Sequence, residues 1–120
     1  MEKFKFTAEE TSFIVEAEGK KLRVSFEEEN LNWEDAQKWC KENGGGDESV
    51  DNLRLLAKYR ESINNELEAL GKETLGGWIW SNEQDYISPS NCAFVVYLYY
   101  GDVSNGYQNC RYYVRAVSAL

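Results

Sequence analysis

Ala93-Phe94-Val95-Val96-Tyr97-Leu98-Tyr99 decides the class of fold. Seven residues free of charge, glycine and proline, and rich in β-branched and aromatic side chains, suit a pleated strand. Alternation divides them into two faces: Phe94, Val96 and Leu98 on one, Val95, Tyr97 and Tyr99 on the other. The first face is expected to be core, and the second to meet water or a ligand. Downstream, Tyr100-Gly101-Asp102 makes a turn, Val103 leads into a loop through Gln108, and a last strand spans Tyr112 to Ala119. Upstream, Trp78-Ile79-Trp80 is a short strand, followed by a polar connection through Pro89 to Asn91.

Before residue 76 the apolar period changes. Asn32 is an N-cap with Asp35 three residues on, which predicts a helix from Trp33 to about Asn43, stopped by Gly44-Gly45-Gly46. After a polar loop, Asp51 is placed to cap a second helix, in which Leu53, Leu56, Ile63, Leu67 and Leu70 recur at helical spacing until Gly71. Glu61, Asn64, Asn65, Glu66 and Glu68 would form its wet side. At the N-terminus Phe4 and Phe6 alternate, and residues 13–17 and 22–26 flank a hairpin turn at Glu18-Gly19-Lys20-Lys21. Strands at both ends and two helices between them predict an α+β fold, the helices packed on a twisted, mostly antiparallel sheet. One domain of 120 residues is expected, with N-terminal strands to residue 30, helices and scaffold over 31–84, and a distinct segment over 85–120.

That last division rests on a change of alphabet. All eight lysines and all sixteen glutamates fall at or before Glu83. The net charge of −8 therefore belongs to residues 1–84, while 85–120 carry two Arg and two Asp. Seven of eight tyrosines (Tyr86, Tyr97, Tyr99, Tyr100, Tyr107, Tyr112, Tyr113) stand in the second segment among Ser, Asn and Gly. Such a mixture has the physics of an antibody paratope: Tyr gives contact area at little rotamer entropy, and Ser, Asn and Gly give adaptable hydrogen bonds. It is equally the composition of an aromatic sheet face. The acidic balance argues against nucleic acid and anionic membrane surfaces as partners. No stretch is apolar enough to insert in a membrane, and nothing near Met1 has the apolar core of a signal peptide, so synthesis in the cytoplasm is expected.

Little in the sequence carries reaction chemistry. The chain has no histidine, which removes the commonest general base and the Ser/His and Cys/His nucleophile pairs. Gly44-Gly45-Gly46 lacks the lysine of a phosphate loop. Cys40, Cys92 and Cys110 show no metal-ligand spacing; free thiols are expected, with a Cys92–Cys110 bridge left open. No dense Asp/Asn/Glu cluster suits calcium. Neither a catalytic centre nor a metal nor a cofactor is expected. Trp33, Trp78 and Trp80 read as core, with carbohydrate stacking the lesser alternative.

The order Asn32-Trp33-Glu34-Asp35-Ala36, Trp39-Cys40, a second helix, Trp80-Ser81, Ala93-Phe94, Gly101-Asp102-Val103 and Val114-Arg115-Ala116-Val117-Ser118-Ala119-Leu120 resembles bacterial and phage domains of C-type-lectin-like fold. These are distantly related to formylglycine-generating enzymes. More narrowly it is similar to the variable proteins of diversity-generating retroelements, which end in a strand of the form Val-Arg-x-Val-Ser-Ala-Phe. The resemblance covers roughly residues 31–120. It implies that copying errors at template adenines diversify chosen Asn-type codons near the C-terminus, into Tyr, Ser, Asp, Gly, Ile, Phe, Val, Cys, Pro or Arg, never into Lys, Glu, Trp or Met. The break near residue 85 is what that process would leave.

Carried onto this chain, the resemblance gives as exposed, ligand-binding candidates Asp85, Tyr86, Ser88, Ser90, Asn91, Val95, Tyr97, Tyr99, Tyr100, Asp102, Ser104, Asn105, Gly106, Tyr107, Asn109 and Tyr112. Phe94, Val96, Leu98, Val103, Val114 and Val117 would be fixed scaffold, and Arg115 a buried structural donor. Residues 44–52 lack the family's Trp-Arg-Leu-Pro segment, and the sugar-binding calcium motifs Glu-Pro-Asn and Gln-Pro-Asp are missing, so calcium-independent binding is implied. The expected function is non-catalytic recognition of a protein or cell-surface ligand, on a bacterial surface or in a phage particle. Two alternatives stand beside it: a small enzyme of the formylglycine-generating type using Cys92 and Cys110, and a structural subunit of a virion or surface assembly.

Overall fold

Phe13, Val15 and Ala17 are buried on one strand and Leu22 and Val24 on the next. The alternation so brings together β2 (Ser12–Ala17) and β3 (Lys20–Ser25), Ala17 opposite Lys20. Their two-residue loop needs positive φ twice, and has it at Glu18 (53°) and Gly19 (77°). Glu18, the costlier of the two, is held by its carboxylate, which meets the Lys58 ammonium at 2.5 Å and accepts the Tyr59 hydroxyl at 2.9 Å. β1 (Lys5–Ala8) adds to the outer side of β2. The computed structural model describes residues 4–120; Met1-Glu2-Lys3, where the reading for a signal peptide begins, lies outside them.

After β4 (Glu29–Leu31), α1 (Trp33–Glu42) starts where the capping pattern places it, Asn32 accepting the Asp35 N–H at 2.9 Å. The single second helix expected from sequence is instead two, α2 (Val50–Lys58) and α3 (Arg60–Ala69), broken at Tyr59. Ser49, not Asp51, caps α2, accepting the Asn52 N–H at 3.1 Å. The break lets Leu53, Leu55 and Leu56 of one helix and Ile63 and Leu67 of the other reach the same core. Asn64, expected on the wet side, is buried: its amide donates to Leu75 O at 2.9 Å and accepts from Leu75 N at 2.7 Å, satisfying a backbone pair outside any sheet.

The rest of the chain supplies β5 (Trp78–Gln84), β6 (Cys92–Tyr97), β7 (Asp102–Tyr107), β8 (Tyr112–Val114) and β9 (Val117–Ala119). The α+β class holds, with three helices and two sheets among the described residues in place of two helices and one sheet. The sheets are ordered β1-β2-β3-β9 and β4-β8-β5-β6-β7, antiparallel except where β5 meets β8. The expected last strand over 112–119 is thus cut in two, β8 in one sheet and β9 in the other. Arg115 sits at the cut. Its guanidinium is buried and donates to Ser25 O and Phe26 O at 3.3 and 3.2 Å, to Glu73 O and Thr74 O at 3.0 and 3.2 Å, and to the Glu28 carboxylate at 3.4 Å.

Two hydrophobic layers enclose the five-stranded sheet. Ile79, Val96 and Leu98 pack with the first sheet, α2 and α3. Trp80, Ala93, Val95 and Val114 pack under Ala36 and Cys40 of α1. Trp80 is fully buried and donates to Leu31 O at 2.8 Å; Trp33 and Trp78 are only half-buried. The loop before α2 holds a buried carboxylate, Glu48, whose Oε2 accepts from Gly46 N at 2.8 Å and Val117 N at 2.7 Å. Burial pushes the Glu48 carboxyl above its ordinary value, and these amides only partly offset the shift. The neighbouring Cys40 thiol is pushed up as well, by burial first and by Glu48 second, so it is inert. Among the described residues no helix is long and apolar enough to cross a membrane.

Candidate ligand-recognition surface

β6 positions the candidates on its neighbours. Its register opposite β7 pairs Tyr97 with Asp102, Val95 with Ser104, and Phe94 with Asn105. Opposed residues share a face, so Tyr97, Asp102 and Ser104 lie on the α1 side and Phe94 and Asn105 on the other. The candidates do not form one face; they surround β7, the outermost strand of its sheet.

Two neighbourhoods result, one at each end of β7. At the first, Tyr97 touches three rings, Trp78 at 4.8 Å, Tyr99 at 5.3 Å and Tyr100 at 5.9 Å between centroids. The Arg60 guanidinium covers Tyr99 at 5.0 Å. Tyr100 projects from this group with 82% of its surface exposed. At the second, Tyr86 meets Phe94 edge-on at 5.3 Å, and Ser88, Ser90, Asn91, Tyr107 and Asn109 surround a shallow hollow. Gln108 ties that end together: its side chain donates to Pro89 O at 2.8 Å and to Cys92 O at 3.0 Å.

Ten of the sixteen candidates are exposed: Tyr86, Ser90, Asn91, Tyr99, Tyr100, Asp102, Ser104, Asn105, Tyr107 and Asn109. Ser88, Tyr97 and Tyr112 are half-buried. Asp85, Val95 and Gly106 are buried, which corrects their placement on the contact surface. Val95 is buried because α1 covers the face expected to be open. Gly106 lies beneath the Tyr112 ring. Asp85 points inward as a staple, accepting the Asn105 amide at 2.5 Å and the Ile87 N–H at 2.8 Å. The Asn105 bond first, then the Ile87 bond, holds its carboxyl below the ordinary value. Among the scaffold residues Val96, Leu98, Val114 and Val117 are buried, Phe94 is half-buried, and Val103 is 41% exposed, correcting its assignment to the interior.

Ile87, which is not among the sequence candidates, is 94% exposed at the tip of the 85–91 connection. Arg60 was missed too, because nothing in a helical pattern shows that its side chain will reach a tyrosine forty residues on. No known protein-family model matches the chain, and neither does any curated protein. Cys92 is buried and Cys110 exposed, both as free thiols, so the bridge left open does not form. Among the described residues no group of three or more Cys, Asp or Glu side chains is arranged to hold a metal ion.

Proposed function

We propose that this chain is a non-catalytic recognition domain of C-type-lectin-like architecture, a variable protein of a diversity-generating retroelement, binding a protein or cell-surface ligand from a phage particle or a bacterial surface. One observation carries the reading. Uncharged Tyr, Ser and Asn side chains cluster on the outside of β7 and its flanking loops, while Val96 and Leu98 of the neighbouring segment are buried, as are Val114 and Val117 of the scaffold. Side chains on a stiff support can be exchanged at little cost in stability, and large rigid aromatics among small polar groups make effective contacts.

The deciding experiment is sequencing of the surrounding genome. The reading expects a nearby reverse transcriptase gene and a near-identical repeat of codons 85–120 that differs only opposite adenines. It expects those differences to fall on the exposed positions and on Ile87, and to spare Val95 and Val96. A locus with no repeat, or sister copies whose changes spread evenly over residues 1–120, would refute it.

A further inference from the structure

Among the described residues four strands end a sheet, and three of them are short, charged or covered. β9 has three residues, and the loop before α2 takes its outer groups: Val117 N donates to Glu48 at 2.7 Å, Ala119 N to Asp47 at 2.9 Å, and Val117 O accepts from Asp47 N at 2.9 Å. β4 is also three residues, follows Glu27-Glu28, and lies beside α1. β1 has four residues and carries Lys5. Short length, charge and covering segments are the means by which proteins blunt sheet edges.

β7 is neither short nor covered by another segment. It runs six residues, Asp102-Val103-Ser104-Asn105-Gly106-Tyr107, with one charge and no Lys, Glu, Arg or Pro. Among the described residues it pairs on one side only, with β6. Alternate residues of an antiparallel strand aim both backbone groups away from the partner, so about three residues present an open donor and acceptor. Exposed Tyr100 stands at one end of this edge and exposed Tyr86 and Tyr107 at the other.

We propose that the outer edge of β7 receives an extended, uncharged or basic polypeptide segment of a partner protein as an added sixth strand. This rests on the recognition reading above and gives it a ligand class. Main-chain hydrogen bonds supply affinity that every codon change except one to proline keeps, while the replaceable side chains around the edge select the segment. Charge favours a foreign segment over a second copy, because edge-to-edge pairing would bring together two bodies of charge −8 each.

The test pans the immobilised full chain against phage-displayed random linear dodecapeptides and, separately, against displayed folded minidomains. The strongest linear clone is then synthesised unmodified and with N-methyl groups on either set of alternate residues. Strand addition expects one N-methyl set to weaken binding by about tenfold or more and the other to leave it within about twofold. It also expects alternate amides of Asp102–Tyr107 to gain protection from hydrogen exchange when the peptide is added. Linear peptides indifferent to both N-methyl sets overturn the proposal. Folded minidomains that bind and lose affinity in Tyr100→Ala and Tyr107→Ala, with no linear peptide enriched, overturn it too but leave the recognition surface standing. No binder in either arm counts against both. A concentration-dependent dimer that protects the same amides overturns it in favour of self-pairing.

Discussion

Replacing Gly106 with alanine should destabilise the protein, although the strand that holds it is the most exposed of its sheet. A Cβ at this position would lie 2.6 Å from Cε2, 3.2 Å from Cζ and 3.3 Å from the hydroxyl of Tyr112. Comfortable carbon contacts are about 3.5–4.0 Å, so the ring must retreat by roughly 1 Å. The retreat is opposed, because Tyr112 meets the fully buried Trp80 edge-on at 4.8 Å. Overpacking of this kind costs about 1–3 kcal/mol. Gly106 is not in the left-handed region, so no backbone strain adds to it. The loss of unfolded-state freedom returns about 0.4–1 kcal/mol. A net cost of about 1–2 kcal/mol remains, or a melting temperature lower by about 4–8 °C for a domain of this size. Urea and thermal unfolding followed by circular dichroism measure it. The cause is isolated by repeating the change in a Tyr112→Ala background, where the added methyl meets no ring and its cost should vanish. A Gly106→Ala protein within about 0.5 kcal/mol of the parent, or an equal cost in both backgrounds, would refute the reasoning.

Four further outcomes are expected. Tyr100→Ala and Tyr107→Ala should each leave the urea midpoint nearly unchanged, within about 0.5 kcal/mol, whereas Tyr97→Ala, which strips contacts from three rings, should cost about 1–3 kcal/mol; equal effects would mean that the two neighbourhoods are packed alike. Asn64→Ala should cost about 1–3 kcal/mol in the same assay, since it leaves both backbone groups of Leu75 without partners; a neutral substitution would show that water replaces the amide. Glu48 has a folded pKa above its ordinary 4.5, so its contribution to stability is present below that value and is lost as pH rises through the folded pKa. Glu48→Gln should therefore gain on the parent as pH rises above 4.5, and a constant difference between the two urea midpoints would defeat this account. Asp85 has the opposite sign: its pKa is depressed below 3.8, so what it contributes is present above that value and is lost as pH falls through the folded pKa. Protection of the Ile87 amide, relative to its intrinsic exchange rate, should fall as Asp85 takes up its proton in acid, and at neutral pH in Asp85→Ala; unchanged protection in both would show that the staple does not hold the connection.

The features most legible in the sequence are those governed by neighbours along the chain. Asn32 and Asp35 announce the start of α1, and Glu18-Gly19 the hairpin, because a cap or a tight turn needs particular residues at particular offsets. The division between α2 and α3 is illegible because Tyr59 is no helix breaker; it adopts its φ of −102° and ψ of 14° in a tertiary setting, stacked on Phe4 and bonded to Glu18. β7 reads as a loop in the sequence because Ser104-Asn105-Gly106 has the composition of a turn, and only pairing with β6 makes it a strand. Val95 shows the limit of alternation: the pattern separated the two faces of β6 correctly but could not say that α1 would cover the second. The alphabet change near residue 85 does not separate exposed side chains from buried ones, since Asp85 and Gly106 are buried and Asn105 is exposed although all three share one composition.

The crossing of the last strand from one sheet to the other fixes when the domain can assemble. Leu22 lies opposite Ala119, and the Arg115 guanidinium reaches carbonyls at residues 25, 26, 73 and 74. A nascent chain therefore cannot finish its first sheet until residues 117–119 have left the ribosome, and a chain stopped between residues 85 and 115 would lack both β9 and Arg115.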